Sequence, residues 1–364
     1  MSNFRWSENG ESKSAFWRSE NGADAPAKGT AAEEGLTADA ACRLAREGKG
    51  MLWRGDFQNA RLLLQAMMRR VDRVAPARTF AEHREAQARR ARLLGMLLLP
   101  FDADHRVPLR RAPDVRLACT EVHGAVAEPY VSSLRELQGI LGAHEWRKKG
   151  VEVPALRARI HPHYGVFAPI RGEYADLVAK APLPSTASAF DIGTGTGVLA
   201  AILGRRGVQR IVATDLDPRA VACARDNLDR LGLRAETQLA DLFPEGRAAL
   251  VVCNPPWIPA EPTSSLERAV YDPDNRMLLG FLAGLAAHLE PGGEGWLVLS
   301  DLAERLGLRT RAALLAAIEA GGLQVVGRIE AKPAHPRAAD RNDPLHAARA
   351  AEVTSLWRLK PTSA

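Results

Sequence analysis

Asn254-Pro255-Pro256-Trp257 follows an apolar run, Ala248 to Cys253, with the length and composition of a buried strand. Two consecutive prolines fix φ and stiffen the chain as it leaves that strand. The side-chain oxygen of Asn254 and the carbonyl oxygen of Pro255 are both acceptors. Two acceptors set side by side suit the two hydrogens of a planar NH2 group. The indole of Trp257 adds a flat face, and stacking on such a face is worth about 1–3 kcal/mol for a nucleobase. These residue types therefore point to chemistry at an amide or exocyclic amino nitrogen. That nitrogen is a poor nucleophile, because its lone pair is delocalised, and must be held in line with what it attacks.

Sixty-three positions upstream of Asn254, Asp191-Ile-Gly193-Thr194-Gly195-Thr-Gly197 follows another short apolar segment. Glycines at this spacing let the backbone turn tightly and approach a ligand. The helix expected from Val198 to Leu203 presents its N-terminus to an anionic group. A dinucleotide fingerprint would need its third glycine where Val198 stands. Ile211-Val-Ala-Thr-Asp215 ends in an acid 24 residues after Asp191, followed by Leu216. A carboxylate at that strand end can accept both hydroxyl hydrogens of a ribose. Asp217-Pro218 then caps and opens a helix expected over Arg219–Leu231. Ala240-Asp241-Leu242 ends the next segment.

The D-x-G-x-G-x-G loop, the acids at three successive strand ends and the downstream Asn-Pro-Pro-aromatic resemble the class I methyltransferases that use S-adenosylmethionine. Within them the chain is similar to the branch that methylates a planar amino nitrogen, which includes adenine and guanine amino-methyltransferases and HemK-type glutamine methyltransferases. The resemblance implies an α/β fold with a doubly wound, Rossmann-like, seven-stranded sheet over about 161–364. It implies S-adenosylmethionine as cofactor, held by Asp191, Gly193, Thr194, Gly195, Gly197, Asp215, Leu216, Asp241 and Leu242, with Asp241 on the adenine amino group. It assigns catalysis to Asn254, Pro255 and Trp257.

Upstream, Gly165-Val-Phe167-Ala-Pro169-Ile-Arg171-Gly-Glu173 resembles the block that precedes the glycine loop in HemK-type enzymes. By that resemblance Phe167, Pro169 and Arg171 line the pocket near the methionine end of the cofactor and contact substrate. The chain departs from the family in two places. Ile170 separates Pro169 from Arg171, and Trp257 stands where Tyr or Phe is usual. His161 and His163 precede the block and are expected to be structural or surface residues.

The elements that must position these groups alternate as short strands and helices from about 160 to 361. The last two strands, Leu323–Glu330 and Glu352–Leu359, are expected to pair antiparallel. The loop between them carries His335, Asp340, Arg341, Asp343 and His346 and is placed over the site mouth, with His346 as a substrate contact. Residues 36–160 are expected to form a mainly helical, Arg-rich domain. Leu62, Leu63, Met67 and Val71 make one helix-like stripe, and Leu93, Leu94, Leu97 and Leu98 another. A further helix is expected over Tyr130–Lys149. Residues 1–35 are expected to be a disordered tail. They hold a near-repeat, Phe4-Arg-Trp-Ser-Glu-Asn-Gly10 and Phe16-Trp-Arg-Ser-Glu-Asn-Gly22, read as a neutral duplication rather than a docking motif.

The chain has 364 residues, 46% of them hydrophobic, and a net charge of +6. Leu52–Arg111 carries thirteen Arg against six Asp or Glu, an excess larger than the charge of the whole chain. Such a stretch suits RNA, an acidic protein, or plain solvation of a helix surface. Its basic run from Arg61 to Arg78 lacks interleaved aromatics for base stacking. Cys42, Cys119, Cys223 and Cys253 are scattered, which argues against a metal site and fits a reduced cytoplasmic setting. No apolar run approaches the ~20 residues of a membrane span, and no secretory h-region opens the chain. Four functions fit the site. The first is an N-methyltransferase acting on a nucleic-acid base, RNA before DNA. The others are a protein glutamine N-methyltransferase, a small-molecule N-methyltransferase, and a non-enzymatic cofactor-binding module.

Overall fold

Asn9 and Gly10 both have positive φ, 54° and 80°, and close a two-residue hairpin turn between Glu8 and Glu11. Asn-Gly is the pair that tolerates this geometry best. The computed structural model describes residues 2–73, 77, 79–262, 266–333 and 343–362. Contacts divide the chain into Met1–Glu145 and Trp146–Ala364.

In the first unit the hairpin joins β1 (Asn3–Glu8) to β2 (Glu11–Trp17), and β3 follows at Lys28–Ala32. Helix α1 (Ala38–Arg46) leads to β4 (Lys49–Trp53). Helices α2 (Phe57–Val71) and α3 (Phe80–Leu94) lead to β5 (Leu97–Phe101). Helix α4 (Arg116–His123), β6 (Tyr130–Ser133) and α5 (Leu134–Lys149) complete the series. The six strands close into a barrel in the order β1-β2-β6-β5-β4-β3. Strands β3, β4 and β5 are parallel neighbours. Parallel neighbours need crossover connections, and the helices supply them.

Residues 1–35 are therefore not a disordered tail, and the Arg-rich region is a strand barrel with crossover helices rather than a mainly helical domain. Phe4 and Trp6 alternate inward on β1, buried and stacked with ring centroids 5.7 Å apart. Gly29 and Gly50 face the Phe4 ring, and a Cβ on either would lie 2.1 or 2.8 Å from its carbons. The two copies of the near-repeat take different structures. The first makes the hairpin turn. In the second, Ser19 Oγ and Glu20 N donate to the buried carboxylate of Glu136 at 3.0 and 2.8 Å. In the α2 stripe Leu63, Met67 and Val71 are buried, whereas Leu62 is 60% exposed. The second leucine stripe divides at Gly95: Leu93 and Leu94 end α3, while Leu97 and Leu98 open β5. A short apolar run does not separate helix from buried strand by its period. Tyr130–Ser133 is likewise strand, so that helix starts at Leu134.

The second unit begins within α5, earlier than the boundary at 160. The hairpin β7 (Val151–Val153) and β8 (Ala158–Ile160) packs Val153 and Ile160 into this unit's own core. Next come α6 (Glu173–Lys180), β9 (Ser188–Ile192), α7 (Val198–Arg205), β10 (Arg210–Asp215), α8 (Pro218–Arg230) and β11 (Glu236–Leu239). They are followed by β12 (Ala248–Cys253), α9 (Arg276–Leu285) and β13 (Leu289–Ser300). The chain closes with α10 (Leu302–Arg305), α11 (Arg311–Ala320), β14 (Leu323–Ala331), α12 (His346–Ala350) and β15 (Thr354–Pro361).

The sheet order is β11-β10-β9-β12-β13-β15-β14, with β15 antiparallel to both neighbours and the other pairs parallel. Side chains alternate between two cores. Leu250, Val252, Trp296 and Val298 pack on one face with α6 and α7; Val251, Cys253, Leu297 and Leu299 pack on the other with α9 and α11. From β9 the chain runs outward to β10 and β11, then returns to β12 on the other side of β9. Ligands bind outside the carboxyl ends of the strands at such a reversal. Register pairs Ile192 with Cys253 there.

Gly29→Ala should lower the stability of the chain by about 1–3 kcal/mol, the usual range for overpacking a filled core. In a Phe4→Ala background the same change should cost clearly less, because the ring is gone while the Arg5 carbonyl oxygen, at 3.0 Å, still crowds Gly29. Denaturant melts of the four proteins in this cycle measure the coupling.

Candidate functional site

The loop after β9 is shaped by three glycines with φ of 68°, 55° and 80° at Gly193, Gly195 and Gly197. Each serves a different neighbour. A Cβ on Gly193 would lie 2.2 Å from the Met277 methyl carbon, and one on Gly197 would lie 3.1 Å from the backbone of Ala224 in α8. One on Gly195 would meet nothing within 4 Å. Gly195 is thus where bare backbone faces open space.

Asp191 pins this loop from beneath. It is 1% exposed, and its Oδ2 accepts from Thr194 Oγ1 at 2.7 Å and from Ala200 N at 3.0 Å. Burial pushes its carboxyl up to about 6, against the downward pull of those two hydrogen bonds. Asp191 therefore shapes the loop rather than reaching into the cleft. Thr194 is buried, and its N–H donates to Thr214 O on β10.

Asp215, at the end of β10, accepts from Gly195 N at 3.0 Å and from Asp217 N at 2.9 Å, one on each oxygen. It joins the loop to the start of α8, and burial raises its carboxyl above the ordinary range. Leu216 beside it is 61% exposed. Asp241 is half exposed and takes an ion pair from Arg276 Nη2 at 2.5 Å. Leu242 has φ of 73°, a left-handed conformation rare for a branched residue. Its carbonyl accepts from Thr214 Oγ1, and Gly280 of α9 leaves room for its side chain.

At the end of β12, Pro255 is buried and Asn254 and Trp257 are half-buried. The Trp257 indole N–H donates to Asn254 Oδ1 at 2.9 Å. Its ring packs against both cores of the sheet. The chain beyond is tied down by Ile258 N to Val270 O and by Asp272 N to Ile258 O. Asp272 then accepts from Met277 N at 2.9 Å and Leu278 N at 3.1 Å, capping α9.

In the upstream block, Pro169 is buried, Phe167 is half-buried and Ile170 points outward, 41% exposed. Arg171 turns inward. Its Nε donates to Glu173 at 2.8 Å, its Nη2 pairs with Glu352 at 3.1 Å, and its guanidinium lies 5.1 Å from the centroid of the Trp257 ring. Burial alone would lower its pKa, yet the two carboxylates outweigh that and raise it. His161 and His163 are structural, bonded to Arg147 O and to Asp226. His346 opens α12 with a buried Nδ1 that has no hydrogen-bond partner among the described residues. His335, Asp340 and Arg341 lie outside the described residues, and Asp343 is paired with Arg349.

Three residues that build this site do not stand out in the sequence as site residues. Asn227 is 1% exposed; its side chain donates to His161 O and Thr196 O and accepts from His161 N, tying the upstream block to the glycine loop. Nothing local marks it. Asp272 carried a signal, since Asp-Pro before a helix is a cap pattern. Glu352 was read only as the first residue of a strand.

Among the described residues no group of His, Cys, Asp and Glu could hold a metal, and no helix is long and apolar enough to cross a membrane. The site does suit a nucleoside-bearing cofactor with an amino-acid end. Gly195 is bare, Asp215 stands at a strand end beside it, and the acceptors of Asn254 and Pro255 lie at the next strand end.

Residues 157–305 match the family model of the methyltransferase small domain. The chain is similar to a release factor glutamine methyltransferase of Cereibacter sphaeroides, 34% identical over 170 residues that cover 42% of this chain and 58% of that protein. It is also similar to a ribosomal protein L11 methyltransferase of Geobacter metallireducens, 36% identical over 129 residues that cover 35% of this chain and 36% of that protein. The chain thus spans between about a third and three-fifths of the length of these relatives. A crystal structure of ribosomal protein L11 methylase from Lactobacillus delbrueckii subsp. bulgaricus aligns with a TM-score of 0.37 at 17% identity, over 52% of this chain and 78% of that one.

Asp191 makes stability depend on pH with a definite sign. A carboxyl raised to about 6 holds its proton better in the folded chain than in the unfolded one. Its contribution is therefore largest below about pH 4 and is lost as pH rises through 6. Asp191→Asn removes that titration. From pH 4 to pH 7 the stability difference should move in favour of the Asn variant by on the order of 3 kcal/mol, read by denaturant melts at each pH. A constant difference would mean that Asp191 is already ionised in the folded chain at low pH.

Proposed function

We propose that this chain is an S-adenosylmethionine-dependent N-methyltransferase whose acceptor is the side-chain amide of a protein glutamine. The observation that carries this is the register of β9 and β12. It sets Asn254-Pro255 beside the glycine loop, so an amide nitrogen held by the first lies next to a cofactor held by the second.

S-adenosylmethionine, when bound, supplies an electrophilic methyl group on a sulfonium. The backbone at Gly195 and the Asp215 carboxylate are the groups that would hold it, with Asp215 accepting from ribose hydroxyls. Asn254 Oδ1 and the Pro255 carbonyl accept the two hydrogens of the acceptor NH2. They turn its lone pair toward the methyl and oppose the positive charge that grows on nitrogen. The buried Pro255 stiffens that pair of acceptors. No strong base is needed, because the nitrogen becomes acidic once alkylated and its proton passes to water.

A nucleic-acid base stood first among the acceptors the sequence suggests; two observations favour protein instead. Release factor glutamine methyltransferase and ribosomal protein L11 methyltransferase are named for protein substrates. The arginine excess of the first unit is also partly spent within that unit. Arg54 pairs with Glu8, Arg70 with Asp39, Arg90 with Asp72, and Arg110 and Arg111 with Asp56. Paired arginines release few counterions on meeting phosphate, and that release drives nucleic-acid binding.

Purified protein with methyl-labelled cofactor and a cell extract should place label in the protein fraction, as N5-methylglutamine after digestion. Label in RNA or DNA instead would return the acceptor to a base. Asn254→Ala should lower turnover at least 100-fold while the Kd for S-adenosylmethionine stays within about threefold, the size of effect seen when a preorganised polar group at the reacting centre is removed.

A further inference from the structure

We propose that Trp257 and Arg171 act as a positioning pair that fixes the amide of Asn254, so that the indole N–H of Trp257, and not only its flat face, sets the rate of transfer. This rests on the N-methyltransferase reading of the site.

An asparagine amide presents oxygen on one side and NH2 on the other, and the two orientations occupy nearly the same space. Only the orientation with oxygen toward the acceptor nitrogen is useful here. Indole Nε1–H is a donor without acceptor capacity, so its 2.9 Å contact selects Asn254 Oδ1 and leaves Nδ2 pointing elsewhere. An amide oxygen accepts twice, so one lone pair remains for the substrate. A phenylalanine at position 257 has no donor. A tyrosine carries its donor at the far end of the ring, away from the position of the indole N–H.

Trp257 must itself be held, since it is only half-buried. Arg171 lies over its ring at 5.1 Å, within the range of a cation–π contact. The guanidinium is fixed in turn by two carboxylates, Glu173 and Glu352, whose side chains are 3% and 1% exposed. Glu352 accepts from Ser300 Oγ at 2.6 Å, and that oxygen accepts from Leu302 N at 3.0 Å. Ser300 ends β13, the strand next to β12. The array runs from the sheet through Glu352, Arg171 and Trp257 to Asn254. Arg171 therefore has its Nε and Nη2 edge committed to carboxylates, and it acts on the substrate through Trp257 rather than by touching it.

The test uses the full chain and a readout independent of turnover. Seven tryptophans give seven indole N–H resonances in a 1H–15N spectrum, and Trp257→Phe identifies the one lost. In Asn254→Ala that resonance should move upfield and exchange faster with water. In Arg171→Met it should also move, and in Arg171→Lys it should stay closer to wild type. Trp257→Phe should lower kcat about tenfold, with KM for the acceptor and Kd for S-adenosylmethionine within about twofold, the loss expected for one orienting hydrogen bond. An unmoved resonance in Asn254→Ala overturns the pairing, whatever Arg171→Met does to stability. Full kcat in Trp257→Phe overturns the positioning role. A resonance that moves in Asn254→Ala, with a wild-type chain that methylates no amide, keeps the pairing and overturns the acceptor reading.

Discussion

The hydrogen-bonded register between β9 and β12 is the constraint on which the second unit turns. These two parallel strands are neighbours in space, yet two whole strand–helix passages separate them in the chain. The connections that leave them run to opposite sides of the sheet, so the loops after Ile192 and Cys253 part and open a cleft between them. Each loop is then shaped by its own glycines or prolines. A slip of one residue in this register would turn Asp191 and Val252 to the wrong faces and bury the cleft-facing backbone.

Buried polar groups make the site stiff. Asp191 holds Thr194 and the first turn of α7, and Asn227 ties the 161 segment to Thr196. Asp272 caps α9, while Glu173 and Glu352 hold Arg171 between them. Each of these groups is largely out of water and each is satisfied by named partners, which is the condition under which a buried polar group favours one geometry over its alternatives. The raised carboxyl of Asp191 shows that this order is not free of cost. An ionised group is kept out of water so that a glycine loop stays in shape, a local strain of the kind found at functional sites.

The first unit was hard to read for a related reason. Barrel closure is non-local: Phe16 of β2 pairs with Tyr130 of β6, far along the chain. The inward alternation on β1 rests on Phe4 and Trp6 alone, too short a pattern to stand out in a polar stretch. Gly29 and Gly50 look like loop residues until the Phe4 ring is placed against them. The Asn9-Gly10 turn was the one legible hairpin signal, and the repeated Asn21-Gly22 disguised it as duplication. Helices α2 and α5 were legible in part, because helices with one buried face keep the 3.6-residue period. What they enclose was not.

In the second unit, the alternation of strands with helices and the chemical ends of the strands could be read directly. Glycine spacing, acids after apolar runs and Asn-Pro-Pro are local patterns, each tied to a backbone conformation that few other residues allow. Those patterns pointed to an α/β sheet, a nucleoside-bearing cofactor and an acceptor nitrogen. The partners of particular side chains were decided elsewhere. Asp191 meets Thr194 and the backbone of Ala200. Asp241 meets Arg276, and Arg171 meets Glu173, Glu352 and the Trp257 ring. Which partner a charged side chain meets depends on segments far apart in sequence that folding brings within about 3 Å, a range at which local pattern carries no information.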